Sequence, residues 1–163
     1  MPKFGVVGPG PGVVGPWQAA RMARRPSDLE LDPEAVAFLA ERHLATLTTL
    51  RADGSPHVVA VGFSYDAEAG LVRVITGGGS QKVCNIDRGS RAAVGQVDGT
   101  RWLSLEGPAV VRRDEEAIAE AVRRYAERYQ APRPNDTRVA IEITVERILG
   151  RAAPPPRSRP SSA

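Results

Sequence analysis

The sequence predicts a mainly β protein with few helices, folded as a closed or partly closed antiparallel β-barrel. Three observations indicate this class: six segments rich in β-branched and aromatic residues, short glycine-containing turns between most of them, and only two helical patterns of ordinary length. Hairpin connections imply antiparallel neighbours, and a barrel hides the sheet edges that an open sheet exposes. A length of 163 residues predicts one domain.

The first predicted elements are a helix and three strands. Asp32-Pro33-Glu34 combines an N-cap residue, a proline at the first helical position and an early acidic residue. It predicts a helix that ends near Arg42 and has one apolar face, formed by Val36, Leu39 and Ala40. Turns that end in glycine or contain it then separate the strands Leu44–Leu50, His57–Tyr65 and Leu71–Thr76.

The glycine-rich turn after the third strand predicts a phosphate-binding site. Residues 77–79 are all glycine, Ser80 is a good N-cap residue, and the short helix that follows carries Lys82 in its first turn. Free backbone amides of a first helical turn and a nearby ammonium group both attract an anion. Lys82 and Lys3 are the only lysines in an arginine-rich chain, which favours a specific role for Lys82. The alternative is a glycine turn with an exposed lysine.

The second half of the chain continues the antiparallel pattern. A helix from Asp114 to about Gln130 places Ile118, Val122, Tyr125 and Tyr129 along one apolar stripe. The three predicted strands of this half are Arg91–Val97, Arg101–Val111 and Val139–Leu149, and Asp98-Gly99 forms the hairpin turn between the first two.

Two strands have unusual faces. In His57–Tyr65, the small residues Val58, Ala60, Gly62 and Ser64 alternate on a nearly flat face, against which a planar ring can lie. A tapering barrel interior would also require small residues there. In Arg101–Val111, Trp102 shares its face with Ser104 and Glu106. This mixture suits a subunit interface or a pocket wall, although an ordinary strand with one partly exposed tryptophan would show it too.

Both ends of the chain differ from the middle. Residues 1–27 repeat glycine and proline, residues 151–163 are rich in proline, arginine and serine, and neither segment contains an acidic residue. Both are predicted to be disordered basic tails around a folded domain at 28–150. Translation could start at Met1 or at Met22.

Charge and hydropathy exclude several classes of function. The folded segment 28–150 holds 15 basic and 19 acidic residues, a net charge of −4, so the chain's overall +3 comes from its tails. A nucleic-acid-binding face would need the positive charge on the folded domain, and we therefore expect no nucleic-acid partner. No apolar run approaches the roughly 20 residues of a membrane span, and no secretory signal is recognisable. We expect a cytoplasmic protein without a membrane partner.

The sequence indicates no catalytic residue and no metal site. Cys84 is the only cysteine, which excludes an internal disulfide, and it is predicted to be a small buried hydrophobic residue. No pair of residues resembles an acid–base dyad, and His57 lies on the large-residue face of its strand, where we expect a structural role.

Three segments carry a resemblance to a known family. Glu41–Val59, Arg73–Thr76 leading to Ser80-Gln81-Lys82, and Asp98–Gly107 resemble the pyridoxamine-phosphate-oxidase-like split-barrel family, in particular its deazaflavin (coenzyme F420)-dependent branch. The resemblance covers about residues 30–150 and is greatest to members that reduce biliverdin. It implies a split antiparallel β-barrel like that of FMN-binding proteins, assembled as a homodimer with cofactor sites at the subunit interface.

The resemblance also implies which residues bind the cofactor. Its phosphate would be held by the segment Thr76–Lys82, namely Thr76, Gly77, Ser80, Gln81 and Lys82, together with Arg73 and Asn85. Its ring would lie along Val59, Ala60 and Val61, with Trp102 contributed by the partner subunit.

The implied activity is hydride transfer from reduced F420 to a small, conjugated organic substrate, with biliverdin reduced to bilirubin as the specific expectation. Arg51, Arg128 and Arg133 are candidate partners for the two propionates of that substrate. Two alternatives remain: an FMN-dependent oxidase or reductase of the same family, and a non-catalytic protein that binds a cofactor or a tetrapyrrole.

Overall fold

The computed structural model describes residues 31–153, so the predicted N-terminal tail and most of the predicted C-terminal tail lie outside the described residues. The described chain forms three helices: α1 (Pro33–Ala40), α2 (Gln81–Asp87) and α3 (Glu115–Arg128). It forms eight strands: β1 (Ala45–Leu50), β2 (Pro56–Val61), β3 (Ser64–Asp66), β4 (Leu71–Gly77), β5 (Arg91–Asp98), β6 (Arg101–Arg112), β7 (Arg138–Thr144) and β8 (Arg147–Arg151). No helix in this range is long and apolar enough to cross a membrane.

The strands form an antiparallel sheet in the order β2-β1-β5-β6-β7-β4-β3, with β8 paired to β6. The long strand β6 joins its two halves, because residues 101–108 pair with β5 and residues 109–112 pair with β7. Strands β2 and β3 stand at opposite ends of this order and do not pair, so the barrel is split between them. The mainly β, split-barrel fold class expected from the sequence is confirmed.

A close backbone contact accompanies the passage of β6 from one half of the sheet to the other. A Cβ built on Gly107 would lie 1.7 Å from the carbonyl oxygen of Thr144, a distance that no side chain tolerates. Glycine is therefore required at this position, where β6 crosses the end of β7.

The structure has two more strands than the six predicted. The predicted strand His57–Tyr65 is interrupted at residues 62–63, which separate β2 from β3, and the predicted strand Val139–Leu149 is interrupted at residues 145–146, which separate β7 from β8. At the second interruption, Val145 donates its backbone N–H to Gly70 and Glu146 donates to Glu106. Sequence alternation continues through both corners, and only tertiary contacts reveal them. Strand β8 extends to Arg151, one residue into the segment predicted as a tail.

Helix α1 begins as predicted but buries a different face. Asp32 caps it by accepting a hydrogen bond from the Ala35 N–H at 2.7 Å. The buried residues are Ala35, Phe38 and Leu39, whereas Val36 and Ala40, expected on the buried face, are exposed. Helix α1 covers one end of the barrel, where the Phe38 carbonyl accepts a hydrogen bond from the buried Gln96 side chain at 2.7 Å.

Helix α3 follows its prediction closely. The Asp114 side chain accepts from the Ala117 N–H, and the predicted stripe from Ile118 to Tyr129 is half-buried. The fully buried members of the helix are Ala117 and Ala121, whose small side chains allow the backbone to approach the sheet.

Candidate functional site

A cleft of about 280 Å³ unites two regions that are far apart in sequence. The end of β2 contributes Ala60, Val61 and Gly62 to its lining, and β4 and α2 contribute Ile75, Thr76 and Lys82. Four of the predicted cofactor residues, Ala60, Val61, Thr76 and Lys82, are thus brought together. The remaining lining residues are Tyr125 of α3 and Pro132, Asn135 and Arg138, which lie between α3 and β7 or at the start of β7.

The cleft is positively charged. Its lining contains two basic residues, Lys82 and Arg138, and no carboxylate. Within residues 31–153, neither cation takes part in a salt bridge; Arg138 donates to the backbone carbonyl of Arg133. Partial burial lowers the pKa of Lys82, because desolvation disfavours the ammonium form. A bound anion would compensate this cost, so the pair of cations suits a phosphate group.

The glycine turn lies between β4 and α2, where it was predicted, but the N–H groups of Gly78, Ser80 and Val83 already donate to backbone carbonyls. Strand β4 ends at Gly77 and α2 begins at Gln81, with Lys82 in its first turn. Ser80 has N-cap backbone angles, but its side chain caps no backbone N–H and instead lies 3.4 Å from the Thr76 hydroxyl. The two hydroxyls therefore form a polar pair next to Lys82 rather than a helix cap.

Two of the predicted phosphate ligands hold α2 in place. Asn85 is buried and donates to the Thr49 hydroxyl at 2.9 Å, which ties α2 to β1. Gln81 donates to Asn85 at 2.8 Å. Asn85 thus positions the helix that carries Lys82, and the structure does not place it in the lining of the cleft.

Arg73 is committed to a separate ion-pair network. It donates to Asp66 at 3.0 Å and to Glu142 at 3.3 Å, and its side chain is only 10% exposed. Arg73 and Thr76 point to opposite faces of β4, as their odd spacing along a strand requires. The structure therefore does not bring Arg73 to the cleft.

The small-residue face of β2 is open to solvent. Val58 is 56% exposed and Ala60 is also exposed, so a tapering barrel interior does not explain the small residues of β2. Ser64, the last residue of the predicted face, is instead buried in β3. Val59 points the other way and packs against the core. Of the predicted ring platform, Ala60 and Val61 line the cleft, whereas Val59 lies on the face of β2 opposite to Ala60.

Trp102 lies on the same open face of the sheet. Residues directly opposite each other in an antiparallel pair share a face. The registers place Ala60 opposite Thr46, Thr46 opposite Gly95, and Gly95 opposite Ser104. Trp102 is two residues from Ser104 and is 41% exposed. This face continues from the cleft across β2, β1, β5, β6 and β8, and we call it the open sheet face. Its exposed large residues are Leu50, Val58, Val97, Trp102 and Leu149.

The three arginines expected to meet a substrate lie in different places. Arg51 is exposed in the turn between β1 and β2, where it donates to the Pro56 carbonyl at 2.6 Å. Arg133 is exposed in the loop that also supplies Pro132 and Asn135 to the cleft. Arg128 instead packs over the Phe63 ring and donates to backbone carbonyls and Gln96, and it does not line this cleft.

Sequence reasoning missed Tyr125, Asn135 and Arg138 as cleft residues. Tyr125 belongs to the apolar stripe of α3. That pattern predicts packing against the sheet and does not indicate a binding site. Arg138 stands at the start of a strand with no motif around it, and only the pairing of β4 with β7 brings it near Lys82.

The expectation that Cys84 is buried is wrong. Cys84 is exposed on α2, whose buried residues are Val83, Asn85 and Ile86. Helix α2 has only two turns, which is too short for the spacing of its apolar residues to show which side faces the sheet.

Two acidic residues and one histidine form a cluster whose carboxylates bind the guanidinium of Arg101. Glu41, His43 and Asp98 lie close enough to share one ion. Arg101 donates two hydrogen bonds to Glu41, at 2.7 and 2.9 Å, and one to Asp98. Its guanidinium holds the pKa of both carboxyl groups below their ordinary values. The group is an ion-pair cluster at the turn that follows β5.

Comparison with known proteins finds a matching family and a relative of high identity. A family model described as pyridoxamine 5'-phosphate oxidase matches residues 31–152. The F420H2-dependent biliverdin reductase of Mycobacterium tuberculosis (strain CDC 1551 / Oshkosh) is 58% identical over 131 residues, which cover 80% of this chain and 96% of that protein.

Two solved structures have the same fold. A conserved hypothetical protein from Mycobacterium tuberculosis is 25% identical, with a TM-score of 0.65 over 76% of this chain and 85% of that one. A structure described as an F420 reductase is also 25% identical, with a TM-score of 0.59 over 69% of this chain and 94% of that one.

Proposed function

Because the chain belongs to the pyridoxamine 5'-phosphate oxidase family, we propose that it is an F420-dependent reductase that transfers a hydride from reduced F420 to biliverdin and so produces bilirubin. The relative of that activity shares 58% of its residues over nearly its whole length, which supports both the cofactor and the substrate. The protein would act in the cytoplasm as a homodimer.

The observation that carries the proposal is the composition of the cleft. Ala60 offers an exposed small side chain on β2, and Val61 lines the cleft although its side chain is mostly buried. The lining also holds two cations, Lys82 and Arg138, and no carboxylate. A deazaflavin cofactor has both a planar ring and a phosphate, so this chain's residues fit it. Thr76 and Ser80 would add hydroxyl donors to the phosphate, and Arg138 would extend the positive charge towards the acidic tail of the cofactor.

When bound, F420 supplies the two-electron hydride chemistry. The protein's contribution would be orientation: β2 would hold the ring through Ala60 and Val61, and Lys82 would hold the phosphate. Tyr125 lines the cleft next to Gly62 and would limit how far a bound ring could move towards α3. Such positioning lowers the entropic part of the barrier without a catalytic acid–base pair.

The open sheet face supports the homodimer. It exposes five large hydrophobic residues on one side of the sheet, and clusters of exposed apolar residues mark interaction sites. The cleft opens at the edge of this face, because Ala60 belongs to both. A partner subunit seated on the face would place its own Trp102 near a cleft, in keeping with the role expected for that residue.

Arg133 is the better candidate for a propionate of biliverdin than Arg128. It is exposed in the loop that walls the cleft, whereas most of the N–H groups of Arg128 are already bonded to protein acceptors. Arg51 is exposed but lies in the β1–β2 turn, outside the residues that line the cleft.

The experiment is a turnover assay with the full chain, reduced F420 and biliverdin, in which absorbance follows cofactor oxidation and bilirubin formation together. We expect one molecule of bilirubin to form for each molecule of reduced F420 that is oxidised. NADPH and reduced FMN serve as alternative donors and are expected to give no bilirubin. Binding of F420 without bilirubin formation would contradict the substrate, and turnover with reduced FMN alone would contradict the cofactor.

A further inference from the structure

A second cleft, separate from the one that holds Lys82, lies between α1, β3 and α3. It encloses about 250 Å³. Its apolar wall is formed by Val36, Leu39 and Ala40 of α1, and polar side chains, among them Ser64 and Arg128, line the rest. Sites for drug-sized ligands measure roughly 300–1,000 Å³, so this volume suits a smaller molecule with an apolar body.

Arg128 is a partly buried cation whose partners are neutral. Four of the five N–H groups of its guanidinium donate to the Glu41 and Phe63 carbonyls and to the Gln96 side chain, at 2.6 to 2.9 Å. Within residues 31–153 no carboxylate forms a salt bridge with it. Burial lowers the pKa of Arg128, because the charged form has lost part of its hydration. One N–H and the positive charge therefore remain available to an anion.

The other charged residues of this cleft are already balanced. Arg124 pairs with Asp66 at 2.8 Å and with Glu120. Glu127 pairs with Arg123. Among the charged residues of the lining, Arg128 is therefore the one without a salt bridge in the described part of the chain.

Ser64 supplies an unpartnered hydroxyl in the same cleft. Its side chain is buried, and its Oγ has no hydrogen-bond partner among the described residues. A buried hydroxyl without a partner is costly, and native structures rarely keep one without a reason. Ser64 and Arg128 both line this cleft, and the carbonyl of the neighbouring residue Phe63 accepts a hydrogen bond from Arg128 at 2.6 Å. Tyr65 also lines the cleft, and burial raises the pKa of its phenol, which keeps the proton available for donation.

We propose that the cleft between α1, β3 and α3 binds a small carboxylate with an apolar body, whose charged end meets Arg128 and Ser64 and whose apolar end meets Val36, Leu39 and Ala40. The unpaired guanidinium charge, the orphan hydroxyl and the apolar wall each match one part of such a ligand. This site is independent of the proposed cofactor site, because no residue lines both clefts.

Benzoate is a suitable probe, measured by isothermal titration calorimetry with the full chain and no cofactor. We expect saturable binding with a dissociation constant of about 1 mM or tighter. Benzamide has the same shape without the charge and is expected to bind at least tenfold more weakly. Inorganic phosphate, which lacks the apolar body, is expected not to compete with benzoate.

Two variants and a matched control locate the site. Ser64→Ala should weaken benzoate binding about tenfold, the loss expected for a hydrogen bond to a charged group, without lowering the melting temperature of the unliganded protein. Ala40→Phe should abolish binding by filling the cleft from an exposed helix position. Ala37→Phe changes an exposed position of the same helix outside the lining and should bind benzoate as the parent does.

Three results would overturn the proposal. The first is no saturable binding of benzoate, and the second is equal binding of benzamide, which would remove the role of Arg128. The third is identical benzoate affinity in the Ser64→Ala, Ala40→Phe and Ala37→Phe variants. Because no cofactor is present in these titrations, none of these results bears on the F420 function.

Discussion

The Tyr125 ring lies so close to Gly62 that a Cβ added at Gly62 would stand 2.7 Å from its Cε2 atom. Tyr129 stacks on Tyr125 with ring centroids 4.8 Å apart, and its hydroxyl donates to the His43 carbonyl at 2.6 Å and accepts from the Phe63 N–H at 3.2 Å. The two tyrosines thus fix α3 against the end of β2, where the strand leaves the sheet beside the cleft.

Gly62→Ala is expected to destabilise the protein by about 1–3 kcal/mol, because the new methyl group forces the packed Tyr125 ring to move. Urea unfolding measures the change in the free energy of unfolding. Gly79→Ala is the control, since a Cβ at Gly79 meets no atom within 4 Å and its φ is not positive. Equal free energies of unfolding for the two variants would show that the Tyr125 ring moves without destabilising the protein.

Lys82→Ala is expected to weaken F420 binding by roughly 1.5–3 kcal/mol, the range for a charge-assisted hydrogen bond, while the fold is kept. Fluorescence titration of the cofactor measures the dissociation constant. Arg123→Ala removes a positive charge from an exposed position of α3 outside the cleft and is expected to bind F420 like the parent. An unchanged dissociation constant for Lys82→Ala would mean that the phosphate lies elsewhere.

Ala60→Leu tests the ring platform with little risk to the fold, because Ala60 is exposed on an edge strand. The larger side chain would stand between a ring and the β2 backbone, and we expect F420 affinity to fall at least tenfold with an unchanged melting temperature. Val58→Leu enlarges a neighbouring position of the same face outside the cleft lining, and it is the control. Similar F420 affinities for both variants would contradict the platform.

Asp66 is expected to contribute to the acid stability of the fold. Burial by itself would raise the pKa of this carboxyl group, but the Ala69 N–H and the charges of Arg73 and Arg124 outweigh it, and the net effect lowers the pKa. A carboxyl group with a lowered pKa stabilises the fold above its unfolded pKa of about 4, and the contribution is lost as pH falls through the lower folded value.

Asp66→Asn should therefore cost about 3 kcal/mol at neutral pH, as expected when one partner of a buried ion pair is removed, and the cost should shrink in acid. Chemical denaturation at several pH values between neutral and about 3 measures both effects. Asp87→Asn breaks an exposed pair with Arg113 and should change stability by less than about 1 kcal/mol. A cost for Asp66→Asn that does not vary with pH would refute the electrostatic explanation.

Val97→Glu should prevent or weaken dimer formation, because it places a charge on the open sheet face opposite Trp102, where Val97 is 65% exposed. Size-exclusion chromatography with light scattering gives the mass in solution. Val110→Glu is the matched control, since Val110 is also exposed but lies on the part of β6 that pairs with β7. A dimer that survives the change at Val97 would place the interface on another surface.

The sequence by itself determined the class of fold, most element positions and the key cation of the cleft. Alternating β-branched residues, glycine turns and the caps at Asp32 and Asp114 are local signals, and each reports on a few neighbouring residues. Lys82 stood out for the same reason, as a lone lysine beside a glycine turn. The small-residue strand around Ala60 was also visible locally, although a barrel interior explained it equally well.

Only the tertiary structure determined which of these residues lie together in the cleft. Pairing of β4 with β7 brought Arg138 to Lys82, and packing of α3 on the end of β2 brought Tyr125 to the cleft. The same packing engaged Arg128 with backbone carbonyls, and the network of Asp66 and Glu142 took Arg73 away from the site. An arginine side chain can bind a ligand or a protein acceptor, and its sequence neighbours are the same in both cases. Which acceptor lies within reach depends on contacts between residues distant in the chain.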